Sequence, residues 1–349
     1  MKFGLLFHLQ DPPHGENMPR LYDEVFEQAQ YAEQLGFDAF FVPEHHQMPD
    51  GYLPAPLTFT AALAAKTQRA EIGTSIMQLP LFHPLQVAEQ IAVIDNISKG
   101  RFILGAGLGL VQKEFDAFQI PLSDAASRFT ESVKILKQAW TGQPFSFHGR
   151  HFDFIDVTIT PRPVRQPRPP IWIGAMSEIT LKRAGRIADG WVSDPLHNFE
   201  VMKAWSEIYK AAAARAGNPR VEIALLRDAW VGESRAEVER VWWPHIQAYH
   251  LFYLKLGFFS SGRFNSQWEP WVKEVTSEAE WTFDRVAPDR LICGTPEEVI
   301  ADVKRYHREI GCQYMIFSLR HPTGPSHQET MQCIERFGRE VLPKCKESD

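Results

Sequence analysis

GTSIMQLPLFHPLQVAEQIAVIDNISKGRFILGAGLG, residues 73–109, decides how this chain folds. It opens on a β-rich run, crosses a short loop containing Pro80, and enters a segment where Val87, Ile91 and Ile94 recur at helical spacing. The Lys99-Gly100 turn ends that helix, and a second β-rich run follows, closing in Gly105-Ala106-Gly107-Leu108-Gly109. Strand, loop, helix, turn and strand in 37 residues is the size of one parallel βαβ unit.

Outward from this unit the same rhythm continues in both directions. Strands are expected at residues 2–7, 38–43, 71–77, 101–105, 170–174, 191–193, 221–231 and 313–319. Helices are expected at 21–35, 56–68, 84–97, 127–140, from about 177, at 199–216, 296–310 and 327–341. Eight such units close an α/β fold of the (β/α)8 TIM barrel type. An open doubly wound sheet is the alternative, but it rarely runs through so many consecutive repeats of one hand.

The expected organisation is a single domain over residues 1–349 with two interruptions. Residues 145–170 read as a β-hairpin followed by a Pro-rich connector with five prolines from Pro161 to Pro170. Residues 234–290 form an aromatic-rich insertion between the seventh strand and seventh helix. Twelve aromatic residues lie between Trp242 and Phe283, among them Trp268 and Trp271. So dense an apolar surface must pack on something. It is either a helical cap over the barrel rim or a wall of the substrate pocket, because loops after the C-terminal ends of strands carry barrel active sites.

Composition narrows the function. A net charge of -6 gives no electrostatic footprint for nucleic acid. The apolar run at the start stops at Asp11-Pro12-Pro13, too early for a signal peptide. No uncharged apolar stretch reaches the roughly 18 residues that span a bilayer. Cys293, Cys312, Cys333 and Cys345 lack CxxC spacing and read as reduced thiols. A soluble, cytoplasmic protein without nucleic-acid or membrane partners is expected.

Three segments carry candidate chemistry. Glu44-His45-His46 follows Phe40-Phe41-Val42, at the catalytic rim of the expected barrel. Thirteen histidines in this chain give about half an adjacent pair by chance, so placement matters more than adjacency. A neutral imidazole at that rim can exchange a proton near neutral pH; equally, a rim histidine can simply hydrogen-bond a loop. The Gly105–Gly109 run is GxGxG rather than GxGxxG, so it is not a dinucleotide fingerprint. It reads as a strand end where missing β-carbons let a planar ring approach the backbone. Residues 171–180, IWIGAMSEIT, close a strand and open a helix whose N–H groups and hydroxyls form a ready anion site, unless Ser177 only caps its helix.

These pieces stand in a familiar order: Gly73-Thr74, Leu79-Pro80, His83-Pro84, Ala88-Glu89, residues 98–102 and residues 105–109, with Glu44-His45-His46 upstream. The chain thereby resembles the luciferase-like superfamily of flavin-dependent monooxygenases. That resemblance implies reduced FMN as cofactor, supplied by a separate NAD(P)H:flavin reductase. It implies dioxygen as co-substrate and oxidation of a small organic molecule through a peroxyflavin. His45 matches the active-site histidine. Glu44, His46, Ser75, Met77, Gly107, Leu108, Gly174, Ala175, Met176, Ser177 and Thr180 match flavin-binding positions, with Ser177 and Thr180 at the phosphate. Ser75-Ile76 matches a position where the superfamily often has a non-proline cis peptide.

Two departures stand out: Leu108 replaces an arginine of the light-emitting luciferases, and Met176 replaces an acid. Light emission is therefore not implied, and Arg320 is a candidate substitute cation. The resemblance also implies a homodimer through the helices after strands 2 and 3, using the small residues of 58–65 and the stripe Val87, Ile91 and Ile94. Alternatives are a deazaflavin-dependent oxidoreductase of the same superfamily, a non-catalytic flavin-binding relative, and a metal-dependent barrel hydrolase. The last wants His-x-His on the first strand, which offers only His8, so no metal ligands are assigned.

Overall fold

The computed structural model describes residues 1–255, 269–275 and 277–346. Its strands are Lys2–Leu6 (β1), Ala39–Val42 (β2), Glu71–Thr74 (β3), Phe102–Gly107 (β4), Ile171–Gly174 (β5), Gly190–Val192 (β6), Glu222–Val231 (β7) and Tyr314–Ser318 (β8). Each pairs in parallel with the next, and β8 pairs with β1, so the sheet closes into a (β/α)8 barrel. The covering helices are Met18–Gln34 (α1), Pro56–Lys66 (α2), Pro84–Ser98 (α3), Ala125–Ala139 (α4), Glu178–Ile187 (α5), Phe199–Arg215 (α6), Pro296–Ile310 (α7) and His327–Arg336 (α8).

Alternation along the strands divides the core into two layers. Phe40 packs outward into the large cluster between sheet and helices, while its neighbour Phe41 fills the barrel interior with Leu6, Ile103, Trp172 and Ile316. Both faces are buried, which is why these strands read as continuous apolar runs.

The third strand departs from expectation. It breaks after Thr74, and a separate two-residue strand, Met77–Gln78, pairs with β4. The Ser75–Ile76 peptide between them is cis, where the resemblance placed one. Residues Phe145–His148 and Asp153–Val157 form an antiparallel hairpin. Between β7 and α7 run the helices Arg235–Val241 and Trp243–Lys255, then short turns of helix from Pro270 to Val286. A short strand absent from the sequence reading, Ile292–Gly294, pairs with the end of β7. Trp242 and Trp281 are wholly buried, and the Trp242 indole donates to the Leu319 carbonyl just past β8. The described part of this segment is thus docked on the barrel's C-terminal rim. Trp268 lies outside the described residues.

All four cysteines are free thiols. Among the described residues no helix is long and apolar enough to cross a membrane, and no group of three His, Cys, Asp or Glu residues is arranged to hold a metal ion.

Candidate active site

The Glu44-His45-His46 triplet leaves the C-terminal end of β2, and its side chains part company. His46 turns inward, 8% exposed at the side chain, and its Nε2 lies 2.6 Å from Glu44 Oε1. Glu44 also accepts the Gln78 amide at 2.6 Å. Burial pushes the Glu44 carboxyl above its ordinary range, against the bonds from His46 and Gln78 that hold it down. His45 remains 32% exposed, and its Nδ1 lies 3.1 Å from Glu114 Oε1. Its ring rests on that of Tyr52, with centroids 4.6 Å apart.

Glu114 is a residue the sequence reading missed. Its helix, Gln112–Ala117, is six residues long, too short for a helical apolar period to show. Besides His45 it accepts the His46 amide at 2.8 Å and the Gln78 side-chain amide at 2.8 Å. Burial acts to raise the Glu114 carboxyl, but the bonds from His45, His46 and Gln78 outweigh it and hold the group below its ordinary value. An ionised carboxylate only accepts, so His45 donates through Nδ1–H and keeps its Nε2 lone pair. That is the arrangement of an oriented general base.

The ends of β4 and β5 converge on Ile76. A β-carbon on Gly107 would fall 2.4 Å from Ile76 Cδ1, and one on Gly174 3.0 Å from Ile76 Cγ2. A β-carbon on Gly105 would lie 2.0 Å from the Thr74 carbonyl oxygen. Gly107 and Gly174 make room for the Ile76 side chain, and Gly105 for the β3 backbone.

The other expected site residues are divided. Ser75 is buried at the break after β3, and its amide donates to the Val42 carbonyl. Met77 is 1% exposed and belongs to the outer core, as does Ala175, whose carbonyl accepts the Trp191 indole N–H. Leu108 and Met176 are half-buried against that core. Ser177 caps α5 and is exposed, and its hydroxyl lies 2.9 Å from that of Thr180. Arg320, the candidate cation, is instead paired with Glu24 of α1 at 2.6 Å, and it lines a small cleft with Leu21 and Val25 outside the barrel. Its guanidinium thus already has a carboxylate partner.

A model of the luciferase-like monooxygenase family matches residues 1–312. The chain belongs to the luciferase-like monooxygenase family. Two curated relatives within reach of this member differ in chemistry. The oxygenase component of a flavin-dependent trigonelline monooxygenase from Acinetobacter baylyi is 29% identical, covering 100% of this chain and 96% of its own. An F420-dependent glucose-6-phosphate dehydrogenase from Amycolatopsis mediterranei is 28% identical, covering 93% and 94%. Among solved structures, a monooxygenase from Streptomyces bottropensis superposes with a TM-score of 0.80 at 27% identity, covering 98% and 99%. Luciferase-like monooxygenase family members thus include oxidoreductases of both kinds, and the chain is similar to each over nearly its whole length.

Proposed function

We propose that this chain is the oxygenase component of a two-component flavin monooxygenase. It would take reduced FMN from a separate NAD(P)H:flavin reductase and use dioxygen to oxidise a small organic substrate. The observation that carries this reading is the meeting, at one end of the barrel, of an oriented His45–Glu114 pair, the Ile76 surface and an exposed helix start at Ser177. The residues fit a flavin in two further ways. Gln78 Oε1 is buried with no hydrogen-bond partner, an acceptor left for a ligand N–H. Ser177 and Thr180 hydroxyls at the start of α5 bond to each other and can turn to an anion.

Reduced flavin supplies the electrons that activate dioxygen. The chain's own task is narrower. Ile76, with Gly107 and Gly174 behind it, would support the flavin, and Ser177 and Thr180 would hold its phosphate. His45 exchanges a proton through Nε2 while Glu114 keeps its tautomer. The docked aromatic segment excludes water. The second reading, a deazaflavin-dependent dehydrogenase, is favoured by the full-length similarity to the F420-dependent enzyme. A substrate screen under isotopically labelled dioxygen separates them. The oxygenase reading expects label in the product, and a product formed with reduced F420 and without label would replace it.

Phosphate grip at α5 has a direct test. A hydrogen bond to a charged group is worth roughly 1.5–3 kcal/mol, so Ser177→Ala should weaken FMN binding about tenfold or more. Riboflavin, which lacks the phosphate, should lose little. Equal losses for both ligands would show that the cap, not the phosphate, was lost.

The shielding role rests on Trp271, which is half-buried and packs on Trp281 with ring centroids 5.3 Å apart. Trp271→Ala should raise the hydrogen peroxide released per reduced flavin consumed. Unchanged coupling would leave the segment a purely structural cap.

A homodimer is proposed through α2 and α3, by a revised surface. Val87, Ile91 and Ile94 are at most 3% exposed and cover this chain's own barrel, so they are not free to pair. Val93 and Ile97 on α3 are each 45% exposed, beside the small residues Thr58, Ala61, Ala62 and Ala65 of α2. Sedimentation should give twice the 39.9 kDa chain mass, and Val93→Glu with Ile97→Glu should halve it. A monomeric wild-type protein would remove the proposal.

A further inference from the structure

Beyond the end of β7 a cleft of about 330 Å³ opens between the helix Arg235–Val241, the helical turn Phe283–Val286, the short strand Ile292–Gly294 and α7. Small-molecule sites run from roughly 300 to 1,000 Å³, so the cleft can take a small organic ligand. It shares no lining residue with the site around His45. Part of its wall is apolar. Val238 and Leu291 are at most 4% exposed, and Phe283 and Ala287 lie beside them.

The charges in the lining do not balance. Of its four carboxyls, Asp284 pairs with Arg235 and Asp289 with Arg305. Arg235 is the cation of the lining, and it is shared with Glu239 as well. Glu298 accepts the Thr295 amide at 2.8 Å at the start of α7. Asp302, four residues further along α7, is half-buried and has no hydrogen-bond or ion-pair partner among the described residues. Glu298 and Asp302 therefore stand on one face of the helix, a like-charge pair at a spacing that destabilises helices.

The field these groups create shows in their protonation. Burial raises the Asp302 carboxyl to about 6; Arg305 pulls it down, while Asp289 and Glu298 push it up. The Cys293 thiol on the short strand is pushed up by burial, Asp302 and Glu298, so it stays neutral and adds no charge. Asp302 is thus faced by Glu298 and Arg305 from its own helix, Asp289 from the preceding turn and a neutral thiol.

We propose that this cleft binds a small organic cation, an ammonium carried on an apolar body, with Asp302 as its counter-ion. A neutral molecule would leave Asp302 unpaired, and an anion would be repelled by Asp302 and Glu298 together. A metal ion does not fit, because among the described residues no group of three His, Cys, Asp or Glu is arranged to hold one. An ammonium supplies the missing charge, and its apolar body covers the Val238, Phe283 and Leu291 side of the cleft.

Benzylammonium is the probe, titrated calorimetrically into the full-length protein without flavin, so that the outcome is independent of the function proposed above. Benzyl alcohol is its neutral match and phenylacetate its anionic one. At neutral pH the wild type should bind benzylammonium saturably and neither of the others. Asp302→Asn should weaken that binding about tenfold or more. In the wild type, affinity should fall as pH is lowered through about 6, where Asp302 takes up a proton, and the variant should lack this fall. Asp302→Asn removes an unpaired charge, so its melting temperature at neutral pH should equal or exceed that of the wild type. Should it fail to fold, the comparison of ammonium with alcohol and the pH profile, both made on the wild type, decide the matter. Equal binding of benzylammonium and benzyl alcohol, binding unchanged in Asp302→Asn, or no binding to the wild type would overturn the proposal.

Discussion

His45→Ala should lower turnover by about 10²–10⁴-fold while the protein stays folded and still binds flavin. The expectation follows from one side chain's circumstances. His45 is the member of its pair that remains part-exposed, and Glu114 at 3.1 Å fixes its proton on Nδ1. Glu114→Gln should reproduce part of the loss, because an amide can present its NH2 group to His45 and no longer dictates the tautomer. The neighbouring substitution should fail differently. His46→Ala leaves Glu44 buried with only one of its two close partners, and breaking such a pair costs about 3 kcal/mol. Its main effect should be a lower melting temperature. Near-normal turnover in a flavin-loaded His45→Ala protein would show that the proton moves elsewhere.

A stability loss of similar size is expected from Gly105→Ala. The added carbon would sit 2.0 Å from the Thr74 carbonyl oxygen, a backbone atom with little freedom to move. Thr74 is paired with Val42 of β2, and the Ser75 amide donates to the Val42 carbonyl at 2.8 Å. Overpacking of this kind costs about 3 kcal/mol, or about 4 °C in Tm for a chain of this size. Gly107→Ala meets only the end of the Ile76 side chain, which can turn away. It should cost less stability and act instead on flavin affinity. Equal melting temperatures for Gly105→Ala and the wild type would mean that the strand ends are looser than their pairing implies.

The barrel was legible because its signals are local. Each helix writes its period over ten or more residues and each strand its apolar run, so both survive without tertiary information. The break at Ser75–Ile76 was less so, since the apolar run continues through it to Met77. Residue types at the site were readable, but their partnerships were not. Glu114 meets His45 across 69 positions of sequence. Charge and apolarity misled for a related reason. Arg320 and the stripe Val87, Ile91 and Ile94 suit ligand and subunit contacts in composition, yet packing had already assigned them to Glu24 and to the barrel.

The central claim is that this barrel end is built for reduced FMN and dioxygen. Anaerobic titration of the purified protein with reduced FMN and with reduced F420, followed by rapid mixing with oxygen, tests it most directly. The account predicts saturable binding of reduced FMN, weakened by Ser177→Ala, and rapid flavin reoxidation in the bound state. Tight binding of reduced F420 with no binding of FMN, and no reaction on mixing with oxygen, would contradict it.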